Sequence, residues 1–429
     1  MSRPIRNVET MTEAPLFDVA IVGAGGAGGM LALELTGRGV RVALIEARPN
    51  AAVDPDAVDQ RGFALAPASV ALMRAAGLWE SLAPHATPIT GVHISKAGVF
   101  GSARFHAADA GLDALAQVVP GNRLAHSLDA RLDAAANAGR MTTFRPASLE
   151  WIEPAEDRVL LTLAGPAAPN RISARLLVGA DGSESTVARL AGFDRREYDY
   201  EQTALVGVIA ASPAHRGIAY ERFTADGPIA LLPVAGDRRV AVLVKDGAGA
   251  EQVLAAGQEA FAQTVRKGFA GRLSEVRAVS SIRPWVLRRV VTETLIADRT
   301  VLIGNAAHTI HPNGAQGLNL GLKDVAELAA RIVDAHLRIQ DPGRRSVLEG
   351  YRDARLADHR LIVAATHLVA RGSLWRGIPG HLAFHGTFGL LGHVPPLRQA
   401  FLARATGREA PVHPGLGTRL AARLAEALT

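Results

Sequence analysis

Apolar and polar positions follow two rhythms along the chain. Short, nearly continuous apolar runs occur at Phe17 to Val22, Val40 to Ile45, Leu176 to Gly179 and Val301 to Ile303. Runs of this kind predict strands buried on both faces, as in a parallel sheet covered by helices. Helical spacing predicts helices at Met30 to Thr36, around Ser69 and Leu72 with a stop at Gly77, at Val118 to Leu128, through Val187 and Leu190, at Val253 to Phe269, and from Gln316–Asn319 through Val325, Leu328 and Ile332. The second rhythm is alternation. It marks strands within Thr142 to Glu153 and at Val159 to Leu163, with a turn over Gly165 to Arg171. It returns at Thr203 to Ala211, Ala219 to Thr224, Ile229 to Pro233 and Arg239 to Val244, where Gly, Asp and Pro separate the runs, and there it predicts an antiparallel sheet.

The first buried strand runs directly into Gly23-x-Gly25-x-x-Gly28 and then a helix. This is the dinucleotide fingerprint: a tight turn at the first glycine, close approach of a pyrophosphate at the second, close helix–strand packing at the third. The second strand ends at Glu46, placed to accept hydrogen bonds from a ribose diol. Arg48 stands after that acid, not before it, which favours an unphosphorylated adenosine ribose, as in FAD or NAD. Arg61, ahead of the next helix, is a candidate for a phosphate or the edge of a bound ring. Asp181 and Gly182 follow the strand at Leu176 to Gly179, and the Asp can hold backbone on the cofactor side or the Arg of a neighbouring loop.

The chain is organised around Arg299 to Asp324, RTVLIGNAAHTIHPNGAQGLNLGLKD. A strand feeds a Gly-rich loop and then a helix, so unpaired N–H groups point at one spot suited to an electron-rich group. The expected fold class is α/β: a Rossmann-like domain with an inserted antiparallel sheet and a helical C-terminal tail. The expected divisions are a disordered extension over 1–16, the nucleotide-binding domain over 17–197 and 291–335, the inserted substrate sheet over 198–290, and the tail over 336–429.

Composition narrows the chemistry. The 429 residues contain no cysteine, which excludes disulfides, thiolate metal sites and a cysteinyl-flavin link. The net charge is +6, and from Arg331 onward 14 Arg stand against 7 Asp plus Glu, so the tail carries the surplus. A basic tail attracts anionic lipid; no aromatic-studded basic stripe points to nucleic acid. His308 and His311 lack metal-ligand spacing, and no metal is expected. The first residues lack an apolar core segment, and Gly377 to Leu397 suits loops and short helices better than a membrane span. The expected location is the cytoplasm, docked on the inner membrane surface.

GAGGAG at 23–28, GADGSES at 179–185, the inserted sheet and GNAAHTIHPNGAQGLNLGLKD at 304–324 stand in one order. Together they resemble the single-component flavoprotein aromatic hydroxylases with the para-hydroxybenzoate-hydroxylase-like fold. Arg61-x-x-Ala64-Leu65, Ser69, Gly77-Leu78-Trp79 and the run Ala219-Tyr220-Glu221-Arg222-Phe223-Thr224 through Gly227-Pro228 to Pro233 are similar to the ubiquinone-biosynthesis (UbiH-type) branch. The resemblance implies one non-covalent FAD: Gly23, Gly25, Gly28 and Glu46 on the ADP side, Asp181 and Gly182 near the pyrophosphate, Gly304 and Asn305 at the ribityl chain, and Gly314, Gln316, Gly317, Leu318 and Asn319 around the flavin pyrimidine, with Arg48 and Arg61 as further cofactor-binding candidates. His308, His311 and Pro312 are the candidates beside the reacting ring, with Arg222 on the substrate side.

Asn305 stands where most relatives of the family carry Asp, and the Gly304-Asn305 pair itself resembles the UbiH type. Two places depart from the branch: Gly314-Ala315 replaces Ala-Gly, and Pro120-Gly121 replaces Glu-Asn. The activity implied is hydroxylation of a phenolic ring, most naturally a polyprenylated ubiquinone precursor, with O2 and electrons from NAD(P)H or a partner reductase. Two other readings are a hydroxylase of a soluble aromatic compound and a non-catalytic flavoprotein or lipid-handling scaffold of a quinone-assembly complex.

Overall fold

The computed structural model describes residues 15–49, 54, 57, 61–98, 102–166, 168–372 and 394–407. Nearly all of the expected N-terminal extension, most of Gly377 to Leu397 and the last stretch of the basic tail lie outside them.

Leu16–Val22 is the middle of an eight-stranded sheet. Val42–Ile45 pairs parallel on one side and Arg171–Gly179 parallel on the other, followed by Thr142–Phe144 and Thr300–Leu302 at the next positions out. Val19, Ala20, Ile21, Leu44, Leu177 and Val301 are fully buried, as continuous apolar runs require. The strand order reverses at Leu16–Val22. The carboxyl ends of the parallel strands therefore open one crevice, and the glycine fingerprint, Glu46, Asp181-Gly182 and Gly304-Asn305 all leave from that edge.

The second sheet has nine strands, mostly antiparallel, built on Arg195–Ser212, Ile218–Thr224, Gly227–Val234, Arg238–Asp246 and Arg283–Thr292. It also recruits Gly91–Lys96 and Ser102–His106 from far upstream, and His308–Thr309 from the organising stretch. One face packs Leu205, Leu231 and Leu243 against Phe261 and Val265 of the helix Gly247–Gly268. The other face carries Ala204, Val206, Val208, Val240 and Val244. A three-stranded sheet of Gly62–Leu65, Thr87–Ile89 and Ala116–Pro120 sits against this second face, where Ile89 and Val118 meet Ala219.

Val118 to Pro120 is a strand, not the start of a helix. Val118 and Val119 pair with Ala64 and Phe63, and the helix begins only after Pro120, at Gly121–Asn137. Pro120 occupies the N-cap, where its fixed φ and missing N–H do no harm. The strand Arg283–Thr292 has no clean apolar alternation, because Arg283, Pro284 and Arg288 are exposed. In the tail, Arg345–Gly372 and Pro395–Thr406 are helices. Among the described residues no helix is long and apolar enough to cross a membrane.

Candidate active site

The glycine fingerprint forms a cradle in which side chains have no room. Gly23 has a φ of +103°, and a Cβ there would meet the Ala180 carbonyl oxygen at 2.4 Å. A Cβ on Gly28 would lie 1.9 Å from the Gly23 carbonyl oxygen. Gly25 differs: nothing lies within 4 Å of its Cβ position, so the backbone there is open to a ligand. Gly25 also caps the helix Gly26–Thr36 with no side-chain hydrogen bond and no acid in the first turn, leaving N–H groups for an anion. Glu46 is buried, and its carboxylate accepts the Ala24 N–H at 2.8 Å and the Arg48 N–H at 3.0 Å. Burial alone would raise its pKa, but those N–H groups and the Arg48 side chain outweigh burial and lower it. Glu46 thus enters the crevice as an anion and also braces the glycine turn.

The Asp181 carboxylate is engaged by its own loop and the helix that follows. It accepts Ser185 Oγ at 2.5 Å, Thr186 N–H at 2.7 Å and Val187 N–H at 3.1 Å, capping the short helix Thr186–Leu190. What this loop presents is backbone, with Gly182 at φ +86° and open space around it. Thr309 Oγ1 donates to Ser183 Oγ at 2.8 Å and ties this loop to the organising stretch.

The turn at Gly304 closes the crevice from the opposite side. Gly304 has a φ of +57°, and a Cβ would sit 3.0 Å from the Ala27 Cβ. A Cβ on Gly26 would meet Leu318 Cδ1 at 2.9 Å, so the amino ends of Gly26–Thr36 and Gly317–Leu337 converge. Asn305 is exposed beside them. Gly314 and Ala315 both take positive φ, +73° and +52°, which turns the chain sharply into the second helix. That helix has no side-chain cap at Gln316, whose own amide donates to the Gly314 carbonyl at 3.1 Å. Asn319 acts as a clamp. It accepts from Ala66 N–H and Ser69 Oγ, both at 2.8 Å, and donates to the Ala64 carbonyl at 2.8 Å and the Ala315 carbonyl at 3.1 Å. Its side chain is fully engaged within the protein, so its part in a cofactor site is to hold the loop.

The candidates for the reacting ring separate. Pro312 is exposed at the loop. His311 is buried behind it, with Nε2 3.4 Å from Gln202 Oε1 and its ring edge-on to Tyr200 at 4.9 Å. Burial drives the His311 pKa down to about 4, so the ring is neutral. His308 points the other way, into a hub the sequence did not reveal. One oxygen of Asp324 accepts from His308 Nε2 at 3.0 Å and from the Gly304 N–H at 3.1 Å. The other accepts from Arg355 Nε at 2.9 Å and His359 Nε2 at 2.6 Å. His308, Asp324 and His359 come close enough to hold a metal ion. With Arg355 in contact and the carboxylate already accepting four hydrogen bonds, the point is an ion-pair hub, not a cation site. The readable signal was Arg355-x-x-x-His359, two side chains on one helix face.

Arg222 is a correction. Its side chain donates to the Gly268 carbonyl at 2.6 Å and to Ser95 Oγ at 3.1 Å, on the face covered by the helix Gly247–Gly268 and away from the crevice. Successive strand residues face opposite sides, so its neighbours Glu221 and Phe223 face away from that helix. Arg61 is exposed at the entry to Gly62–Leu65, and its carbonyl accepts the Gly121 N–H at 3.1 Å.

Residues 17–366 match the family described as FAD binding domain, and the chain belongs to this family. The relatives that it resembles in sequence include flavin-dependent aromatic hydroxylases of the UbiH-type branch. The chain is 33% identical to the ubiquinone hydroxylase UbiL of Rhodospirillum rubrum over 91% of this chain and 89% of that protein. It is 30% identical to the 3-demethoxyubiquinol 3-hydroxylase of Escherichia coli over 84% and 91%. Among solved structures, p-nitrophenol 4-monooxygenase PnpA from Pseudomonas putida superposes with a TM-score of 0.72 at 18% identity, covering 93% of this chain and all of that one, which shows a shared fold. FAD fits the residues present: the open backbone at Gly25, the anionic Glu46 and the two uncapped helix ends complement a ribose, a pyrophosphate and an electron-rich ring. The protein is an FAD-dependent aromatic hydroxylase.

Proposed function

We propose that the protein hydroxylates the phenolic ring of a prenylated ubiquinone precursor, drawing electrons from NAD(P)H or a partner reductase. The observation that carries this reading is the second face of the antiparallel sheet. Its side chains there are almost all apolar, including Ala204, Val206, Leu232, Val234, Val240 and Val244, and an apolar ring with an apolar tail matches such a wall. The relatives that carry ubiquinone-hydroxylase names support the choice of ring.

Bound, reduced FAD supplies the oxygen-activating chemistry. The chain supplies the rest. Gly23, Gly25, Gly28 and Glu46 seat the ADP half. Gly182, Gly304 and Asn305 line the middle, where Asn305 offers a neutral hydrogen bond, worth roughly 0.5–1.5 kcal/mol, in place of a charge-assisted one of about 1.5–3 kcal/mol. The N–H groups of Gly317 and Leu318 face the ring end and stabilise negative charge there. The apolar sheet excludes water from the reacting position. Docking of the basic tail on an anionic membrane would deliver a lipid-soluble substrate.

The test is a reconstitution. The FAD-loaded protein is given a reductant, labelled O2 and either a prenylated phenol or its tail-less analogue, and labelled product is measured. Preferential hydroxylation of the prenylated phenol is expected. Equal turnover of the tail-less ring would favour a soluble aromatic substrate, and retained FAD with no product from either would favour a non-catalytic flavoprotein.

A further inference from the structure

Strand Ile218–Thr224 runs near one side of the nine-stranded sheet, and its two rows of side chains have different fates. Tyr220 packs edge-on to Phe269 at 5.7 Å and against His93 at 5.6 Å, on the helix-covered face with Arg222. Ala219, Glu221 and Phe223 therefore form the opposite row. Ala219 confirms its direction by clustering with Ile89 and Val118 of the small sheet. That small sheet includes Gly62–Leu65, which Asn319 ties to the flavin loop through the Ala64 carbonyl. The row containing Glu221 thus faces the part of the molecule that carries the cofactor loop.

Glu221 is anomalous there. Its cross-strand neighbours are Ala230 and Ile94, both apolar. Among the described residues its side chain makes no hydrogen bond or ion pair, and it shares the partial exposure of Ile94, Ala230 and Leu232 beside it, so this row is not closed off by packing. Charged or titratable groups are scarce around it. The facing strands Gly62–Leu65, Thr87–Ile89, Ala116–Pro120 and Gly227–Val234 contain none. Lys96 follows in the same row of the adjacent strand and has its own partner. His93 and Arg222 lie on the other face. Burial pushes the Glu221 pKa up to about 7. An unpaired carboxyl in an apolar setting destabilises a fold unless something else supplies the missing partner.

We propose that the partner is the substrate: Glu221 accepts a hydrogen bond from the phenolic hydroxyl of the bound ring and so sets which ring edge faces the flavin loop. This rests on the hydroxylase reading above and adds the residue that orients the ring. A phenol is a strong donor whose hydroxyl must be satisfied once it leaves water, and the apolar wall offers no other acceptor on this strand row. The carboxyl is costly to the free protein and useful in the complex, which is how binding sites differ from cores.

Glu221→Leu and Glu221→Gln, each loaded with oxidised FAD, separate this from a merely structural role. Calorimetric titration with a short-chain prenylated phenol and with its methyl ether reads the hydrogen bond without turnover. The unaltered protein is expected to prefer the phenol, more so as pH rises through 7. Glu221→Leu should weaken phenol binding about tenfold or more, leave ether binding unchanged, and melt no lower than the unaltered protein. Glu221→Gln should keep part of the preference, lose its pH dependence and shift the distribution of hydroxylated products. Unchanged phenol-to-ether preference in both variants would overturn the assignment while leaving the hydroxylase reading intact. Failure of the unaltered protein to bind either ligand would overturn both.

Discussion

Asp324 and Gly304 are joined by a hydrogen bond of 3.1 Å between a buried carboxylate and a backbone N–H. Burial alone would raise the pKa of Asp324; His359, His308 and Arg355 outweigh it and hold the group well below the ordinary carboxylate range. The anion fixes the turn that carries Asn305, and it does so with partners from the helix Arg345–Gly372. Replacing Asp324 by Asn leaves Arg355 buried without its Asp324 counter-charge. The expected cost is about 3–5 kcal/mol, measured by chemical unfolding, with FAD released more readily. Unchanged stability and FAD retention would mean that the hub does not hold the turn.

Ala315 has a φ of +52°, a left-handed conformation that costs a residue with a Cβ roughly 1–2 kcal/mol. Ala315→Gly relieves that strain, offset in part by the greater freedom of glycine in the unfolded chain. A net gain of about 0.5–1 kcal/mol is expected, with tighter FAD binding by fluorescence titration. A loss of stability would show that the Ala315 methyl group makes packing contacts worth more than the strain.

Burial keeps His311 neutral down to about pH 4, whereas an unfolded chain takes up that proton near its ordinary value of 6.5. Between these values the unfolded state binds more protons, so stability falls as pH drops through the window. The contribution is on the order of 3 kcal/mol. Asp324 adds a loss in the same direction at lower pH, because its folded pKa is depressed. His311→Gln should reduce the pH dependence of the unfolding midpoint between pH 6.5 and 4, with part of the slope left because burial also lowers the His93 pKa to about 4; an unaltered slope would count against a neutral His311.

Gly28→Ala would bring a methyl group to 1.9 Å from the Gly23 carbonyl oxygen, with backbone on both sides of the clash. Colourless protein after FAD addition and desalting is the expected result. A retained flavin absorption band would show that the glycine turn can open without losing the cofactor.

The parts of the fold that a short window contains were legible. A strand, a glycine turn and a helix within about fifteen residues announce themselves at Val22, Gly179 and Ile303, because buried strands leave apolar runs and tight turns leave glycines. Longer reach was not. Asp324 lies 31 residues from Arg355 and 35 from His359, and nothing local says that two helices will bring them together. Val118 and Val119 read as the start of a helix because their pairing with Ala64 and Phe63 depends on a distant strand. Arg222 attracts attention by its charge, yet its hydrogen bonds put it on the face covered by the helix Gly247–Gly268, and strand parity puts Glu221 on the opposite face.

Thr309 belongs to both halves of the molecule. It pairs with Val290 at the edge of the nine-stranded sheet and bonds Ser183 in the loop beside the glycine cradle. The antiparallel sheet and the loop beside the glycine cradle are therefore gauged from one shared datum.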